Sequence, residues 1–413
     1  MILNQEQNTV KNTIQHCFSA TRNHNLKTIV RLSGKAGTGK TTVLCHTLLS
    51  IVSPNPNLKI CISCIAHKAV NNFKNHLPQD LNPNNNPNIH FRTIASLLHK
   101  FPVKYGQFSK GNGESIEDYD LVIIDEYSMV GEKDTKTIVE GMRDGSMLIF
   151  LGDGCQLPPV MDKTSQITSA DNSTKSVYGG VPFVPLELEQ QMRNPGIIGQ
   201  LSDECREQIV FPSTSNTRNN NSITVHSNVD ALVNTVVKYI KLYGQDKVCL
   251  FNYTNKACFD LGYKIRKELY PYTYHNLIVE NEEVIVHKGN KSIVSGSKII
   301  SRDIKARCVG GLNIYNISYD GNRIDVVHKK QKDLLVKLIS RCEDRIEKTI
   351  GSEKKKYTKF LKILTSIVVV SYQYSSTIHS SQGRSIPYCF VNTVDVNKCR
   401  ANKKNLVYVA YSR

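Results

Sequence analysis

The stretch Gly34-Lys35-Ala36-Gly37-Thr38-Gly39-Lys40-Thr41-Thr42 constrains this chain more than any other. It has the phosphate-loop spacing G-x-x-x-x-G-K-[ST], with Gly34 opening the loop and Gly39-Lys40-Thr41 closing it. Its surroundings fit: Thr28 to Leu32 reads as a short buried strand, and Thr42 to Leu49 as the helix that follows. The glycines let successive N–H groups turn inward around phosphates, and the helix start adds its partial positive charge. Lys40 is expected to reach the β- and γ-phosphates of ATP, and Thr41 to hold Mg²⁺ through its hydroxyl.

The 413 residues are enough for two to four domains with sizeable cores. Lys and Arg number 53 against 36 Asp and Glu, an excess of 17, with a pI near 9.2. Such an excess points to polyanionic partners, nucleic acid first, against the alternative of a merely basic surface. No apolar run is long enough to span a bilayer, and the start Met1-Ile2-Leu3-Asn4-Gln5-Glu6 does not read as a signal peptide. The twelve cysteines form no framework; the pair Cys61 and Cys64 falls in an expected strand and reads as reduced core thiols rather than a zinc site. The expected compartment is cytoplasmic or nucleoplasmic, not secreted, with a virus-encoded protein in a host cell as one expected origin; the Asn-, Lys- and Ile-rich composition suggests an AT-rich genome.

Along the chain, Leu3 to Lys11 begins an amphipathic helix, where a glutamine amide could face adenine or simply water. Leu58 to Ile65 is a second buried strand, Pro78 to Pro87 a loop, and Thr93 to Leu98 a helix start. Phe101 to Asp118 reads as a small hairpin set outside the α/β alternation; its aromatics either pack on the parent domain or split a base pair. Leu121-Val122-Ile123-Ile124 is an all-apolar strand suited to the centre of a parallel sheet, and it ends in Asp125-Glu126. Carboxylates there lie at the mouth of an open sheet. Asp125 is expected in the Mg²⁺ shell and Glu126 as the group that orients or deprotonates the attacking water.

Met147 to Asp153 is a further buried strand leading to Gln156, a candidate γ-phosphate contact or a plain loop amide. Arg193 is either a surface charge or a residue reaching the same phosphate. A second α/β unit is expected from about Pro182, with the strand Lys247 to Phe251 and the helix Lys256 to Leu269. From Glu282 to Asp325 the period drops to two, which suggests an inserted β module. His328 to Lys362 is lysine-rich and helical, either tracking phosphates or solvated. The α/β pattern is expected to resume at Ser366 and to run through Thr377 to Arg384 and the terminal Asn405 to Arg413.

In this order the stretches resemble the superfamily 1 helicases, in the 5′→3′ branch that holds the Dda, RecD and Pif proteins. Gly34 to Thr42 resembles motif I, Asp125-Glu126 motif II, and Gly152-Asp153 with Gln156-Leu157-Pro158-Pro159 motif III. Arg193 resembles the motif IV arginine, Thr377 to Gly383 motif V, and Tyr408 to Arg413 motif VI; Gln7 stands where the family reads adenine. The resemblance covers nearly the whole chain. It implies an α/β fold of two RecA-like domains with ATP between them. The first would supply Lys40, Thr41, Asp125, Glu126 and Gln156; the second would supply Arg193 and Arg413 as arginine fingers, with Gly383 near the γ-phosphate. It implies nucleic-acid contacts at His67, Thr93, Thr377 and His379, a separation pin at the hairpin with Tyr105, Phe108 or neither as its wedge, and an SH3-like β module. The segments expected are RecA-like domain 1A at 1–100 and 120–181, the pin at 101–119, RecA-like domain 2A at 182–282 and 366–413, and the β module with its lysine-rich helical segment at 283–365.

The chain departs from the family at Ile65-Ala66-His67, where Pro-Thr is usual, in its short pin, and in stopping at Arg413, where relatives run on into another strand. A terminal arginine held by its contacts, or a truncated form, is expected there. The function implied is a monomeric ATP- and Mg²⁺-dependent helicase moving 5′→3′ on single-stranded DNA, unwinding forked duplexes, and working with replication proteins. The alternatives are a viral-type RNA helicase or triphosphatase, and a nucleic-acid clamp with impaired turnover.

Overall fold

The computed structural model describes residues 2–412 except 66–69, 71–72, 75–76, 84, 103–107, 110–113, 161, 193–195, 219–220, 291–292, 294–296 and 383–385; at 101–102, 108–109, 218 and 221 it describes the backbone alone. The chain divides into two compact units. The first holds Met1–His226, Thr377–Ile386 and Val391–Arg413; the second holds Ser227–Ser376 and Pro387–Phe390.

The first unit is built on one sheet. Its strands are β1 (Thr28–Gly34), β2 (Ile60–Cys64), β3 (Ile89–Thr93), β6 (Leu121–Asp125), β7 (Met147–Gly152), β8 (Ser176–Val177) and β9 (Val181–Leu188), in the order β3-β2-β6-β7-β1-β9-β8. All neighbours pair in parallel except β8 and β9. Two pairs lie outside it, β4 (Phe101–Pro102) with β5 (Phe108–Ser109) and β10 (Asn216–Arg218) with β11 (Asn221–Ile223).

Alternation along the buried strands feeds two cores. Val30, Leu32, Leu121, Ile123, Met147 and Ile149 pack with Ile14 and Phe18 of helix α1 (Gln5–Asn23) and Leu44 and Leu48 of α2 (Lys40–Val52). Ile29, Val122, Ile124, Leu148 and Phe150 face the other way, onto Ile138 and Val139 of α3 (Glu132–Glu140). Helices on both faces explain why these strands read as unbroken apolar runs. Cys61 and Cys64 are both buried in β2, and burial raises the Cys61 thiol to about 12.

The second unit has two sheets. β12 (Val248–Asn252) lies between β19 (Ser375–Thr377) and β20 (Tyr388–Val391), and its core takes in Val236 and Ile240 of α5 (Val229–Tyr243) and Leu261 and Ile265 of α6 (Asn255–Leu269); α4 (Ile197–Glu207) belongs to the first unit. The other sheet runs β14 (Lys298–Ile300), β13 (Glu283–Lys288), β18 (Val368–Tyr372), β17 (Asn322–His328), β16 (Leu312–Tyr319), β15 (Arg302–Val309). The helices α7 (Lys332–Lys348) and α8 (Gly351–Ser366) pack on one of its faces through Leu335, Cys342 and Leu364.

Two boundaries differ from the sequence reading. Val181–Leu188 is not the start of a second α/β unit: it is the parallel neighbour of β1, with Ile29 opposite Phe183 and Leu32 opposite Leu186. Its prolines suggest a break, but its outer side meets only the two-residue β8, and a strand near a sheet edge tolerates proline. Likewise the α/β pattern does not resume at Ser366. Val368–Tyr372 pairs antiparallel with β13 and parallel with β17, inside the six-stranded sheet. Its unbroken valines reflect cover on both faces, Val368 and Val370 in one core and Val369 in the other.

Candidate nucleotide site

The C-terminal ends of β1, β6 and β7 lie side by side, with Ser33 opposite Gly152 and Asp125 opposite Leu151. Ligands of open α/β sheets bind at such ends. β1 stops at Gly34, the loop turns through Gly37 and Gly39 at φ 88° and 84°, and α2 begins at Lys40. A Cβ at Gly34 would meet the Leu188 carbonyl at 2.7 Å, so the strand pairing itself requires glycine. Gly39 is required twice over, by its left-handed backbone and by the Gln7 amide, whose Nε2 would lie 2.6 Å from a Cβ there.

Lys40 folds into this loop, its Nζ donating to the carbonyls of Gly34 at 2.7 Å and Lys35 at 2.8 Å. Burial pulls its pKa below the ordinary value; the charges of Asp153, Glu126 and Asp125, in that order, push back. The ammonium therefore shares one electrostatic pocket with the carboxylates at the ends of β6 and β7. Asp125 accepts the Glu126 N–H at 2.9 Å, and burial first, then the charge of Glu126, pushes its carboxyl up to about 7. Glu126 is a non-glycine residue in the left-handed region, at φ 56° and ψ 47°, which places it sharply off the strand end before the turn Tyr127–Met129.

The Thr41 hydroxyl type at the helix start and the hard carboxylate oxygens of Asp125 and Glu126 suit Mg²⁺, which takes one or two carboxylates plus substrate phosphates. Among the described residues no cluster of three or more His, Cys, Asp or Glu forms a cage for a metal.

Gln7 is buried against the loop. Its Nε2 donates to the Thr38 carbonyl at 3.1 Å and its Oε1 accepts from the Asn4 N–H at 3.1 Å, while Asn4 Oδ1 caps α1 through the Gln7 N–H at 2.7 Å. The amide thus joins the start of α1 to the phosphate loop. Gln156 is also buried; its Oε1 accepts from Gln382 at 3.3 Å, and Asn405 Nδ2 donates to the carbonyls of Cys155 and Gln156 at 2.9 Å each. Gln156 and Gln382, 226 positions apart, are therefore in contact.

Arg193, Arg413, Gly383, His67 and Tyr105 lie outside the described residues, and Phe108 is described by its backbone alone. The segment leading to Arg193 does touch the loop: Met192 N–H donates to the Gly37 carbonyl at 3.0 Å, and Gln191 Nε2 to that of Ala36 at 2.9 Å. Thr93 caps the short helix Ile94–Leu97, its hydroxyl accepting the Ser96 N–H at 3.2 Å. Thr377 donates to the Ser380 hydroxyl at 3.0 Å, and burial lowers the pKa of the nearby His379.

Sequence reasoning missed Arg206 of α4. Its Nη1 donates to Asp153 Oδ2 at 2.8 Å and to the Tyr408 hydroxyl at 3.1 Å, and Tyr408, on the helix Lys403–Tyr411, donates to Asp153 Oδ2 at 2.5 Å. Burial opposes the charge on Arg206, but Asp153 and Tyr408 outweigh it and hold its pKa above the ordinary value. Its one sequence signal is a basic residue beside the apolar positions Leu201 and Cys205 of α4.

A phosphate loop between a central parallel strand and a helix, with carboxylates on a neighbouring strand end, defines a P-loop nucleotide-binding α/β protein. Comparison with known proteins sharpens this. The AAA domain family model matches residues 19–162. The RecBCD enzyme subunit RecD of Buchnera aphidicola subsp. Acyrthosiphon pisum (strain APS) is 29% identical over 141 residues, 33% of this chain and 23% of that protein, so the match spans under a quarter of the relative's length. The crystal structure of Pif1 helicase from Candida albicans shares the fold at a TM-score of 0.51 and 16% identity, over 100% of this chain and 92% of that one. Bacteroides sp Pif1 in complex with ADP-AlF4 is more distant, at a TM-score of 0.41 and 17% identity over 100% of this chain and 90% of that one. The chain is thus similar to an AAA domain over residues 19–162 and to RecD over 33% of its length, and its fold is similar to that of the Candida albicans Pif1 helicase.

Proposed function

We propose that this chain is an ATP-dependent DNA helicase that moves 5′→3′ along single-stranded DNA and unwinds duplexes. The observation that carries the reading is the Gly34–Thr42 loop with the Lys40 ammonium folded into it, leaving β1 in the same row of strand ends that holds Asp125 and Glu126 at the end of β6. In this reading Lys40 and the loop N–H groups of Gly34 to Thr42 bind the β- and γ-phosphates. Thr41 and Asp125 hold Mg²⁺, which would offset phosphate charge, and Glu126 takes the proton of the attacking water. Gln156 senses the γ-phosphate, Arg193 and Arg413 act as arginine fingers, Gly383 serves near the γ-phosphate, and Gln7 borders adenine. His67, Thr93, Thr377 and His379 contact the strand; the segment 101–119 serves as the pin and 283–365 as an SH3-like insertion. Among the described residues no helix is long and apolar enough to cross a membrane.

The test is steady-state ATP hydrolysis with and without oligo(dT), repeated with RNA of matched length. Strong stimulation by DNA is expected. Hydrolysis unmoved by single strands would overturn the motor reading, and stimulation by RNA alone would make the enzyme an RNA helicase. Tight DNA binding with no turnover would make it a clamp.

A further inference from the structure

Asp153 is a buried carboxylate, 1% exposed, at the edge of the nucleotide pocket, and the roles above leave it without a task. Three donors meet it: Arg206 Nη1 at 2.8 Å and the Tyr408 hydroxyl at 2.5 Å on Oδ2, and the Cys155 N–H at 3.0 Å on Oδ1. The direction of each bond is fixed. A guanidinium and a backbone N–H can only donate. Tyr408 therefore gives its single proton to Asp153 and accepts from Arg206 at 3.1 Å and from the Ala36 N–H of the phosphate loop at 3.5 Å. Arg206 also stands 5.3 Å from the centre of the Tyr408 ring.

We propose that Arg206 is a positioning residue for nucleotide binding, which neutralises Asp153 so that Lys40 stays available to phosphate and Tyr408 stays seated against the loop. The inference rests on the nucleotide-site reading above. Its physical core is charge balance. Asp153 directly follows Gly152, which pairs with Ser33, while the Lys40 ammonium bonds the carbonyl of the next residue, Gly34, so carboxylate and ammonium stand at adjacent strand ends and Arg206 is the cation bonded to that carboxylate. Without Arg206, Asp153 becomes an uncompensated anion beside a pocket built for a polyanion. It would then compete with phosphate for Lys40 and repel the incoming nucleotide. Arg206 touches neither the loop nor, by this geometry, the reacting atoms; it acts through Asp153 and Tyr408.

The full chain should be titrated with a fluorescent ATP analogue and Mg²⁺ as wild type, R206M, R206K, D153N and R206M/D153N, with kcat and KM for ATP measured alongside. R206M is expected to weaken binding about tenfold and raise KM, a loss of about 1.4 kcal/mol. R206K should recover part of the loss, because it keeps the charge. The double variant should return to within about threefold of wild type, because removing both charges restores the balance. A purely packing role for Arg206 would leave the double variant as weak as R206M, and that result overturns the proposal. So does wild-type affinity in R206M. If R206M fails to fold, the contrast between R206K and the double variant still decides. Absence of nucleotide binding by the wild type would overturn the phosphate-loop reading itself, a different outcome from an unmoved R206M.

Discussion

The Tyr408 hydroxyl donates to Asp153 Oδ2 at 2.5 Å, joining two buried residues 255 positions apart in the chain. The bond ties the helix Lys403–Tyr411 to the segment after β7. Tyr408→Phe keeps the ring and removes only the proton donor, leaving Asp153 with Arg206 and Cys155. A hydrogen bond to a charged group contributes about 1.5–3 kcal/mol. An unfolding free energy lowered by that amount is expected from chemical denaturation, and an unchanged value would mean that water replaces the phenol.

Lys40→Ala should abolish nucleotide binding and turnover, since the Lys40 ammonium is folded into the loop while that of Lys35 pairs with Asp203 at 2.8 Å. Glu126→Gln should bind ATP and fail at hydrolysis, because an amide cannot take the proton. Equilibrium binding and single-turnover hydrolysis separate the two. Full turnover in Glu126→Gln would place the base elsewhere.

The second unit contains a buried ion pair with its own consequence. Arg266 donates through Nε and Nη2 to Glu282 at 2.7 and 2.8 Å, and the Tyr374 hydroxyl donates to the same carboxylate at 2.7 Å. Removing one partner of such a pair leaves a buried charge without compensation, at a cost of about 3–5 kcal/mol. Glu282→Ala should therefore unfold at markedly lower denaturant, and circular dichroism during a guanidinium titration would show it. A midpoint like that of the wild type would mean that Arg266 is satisfied by the carbonyls of Tyr274 and Asn276 alone.

His328 gives the fold a pH dependence. It is 3% exposed, its Nδ1 accepts from the Lys330 N–H at 3.3 Å, and burial first, then nearby cations, lowers its pKa to about 4. An unfolded histidine titrates near 6.5. The folded value is the lower one, so the stabilising contribution is complete above about pH 6.5 and is lost as pH falls from there to about 4. His328→Gln should flatten the fall in the urea midpoint between pH 7 and pH 4.5. An equally steep fall in the variant would assign the effect to other groups.

The lysines of α8 offer a test by salt. Lys355, Lys359 and Lys362 are exposed on one side of the helix, and none is in an ion pair among the described residues. If they follow a single strand, replacing all three with alanine should reduce the slope of log affinity against log salt by about 2, at roughly 0.7 per phosphate. An unchanged slope would make this a solvated face.

The nucleotide site was legible because its parts are local. Gly34 to Thr42 carries its own spacing, and Asp125-Glu126 ends an apolar run that could only be a covered strand. The pairing of β9 with β1 was not legible, since Pro182 and Pro185 read as punctuation and only the sheet shows that a near-edge strand accommodates them. Val368–Tyr372 misled for the opposite reason. Its valines correctly signalled burial on both faces, but a mixed sheet covered by two helices on one face and packing strand side chains such as Val284, Ile299 and Ile317 together on the other supplies that burial as well as an α/β layer does. Arg206 was hidden because its partners, Asp153 and Tyr408, lie 53 and 202 positions away. No periodicity within α4 distinguishes a half-buried, paired arginine from a solvated one.

The seat of Gln7 under Gly39 has a consequence for how this chain can vary. A side chain at 39 needs room that only a smaller residue at 7 would give, and a smaller residue at 7 removes both the Thr38 contact and half of the α1 capping box. Neither position has a tolerated first step alone, and the double change still meets the left-handed backbone at 39. In a random mutagenesis library the two sites should therefore stay unchanged together, a mutually locked pair in which the first turn of α1 fixes the composition of the phosphate loop.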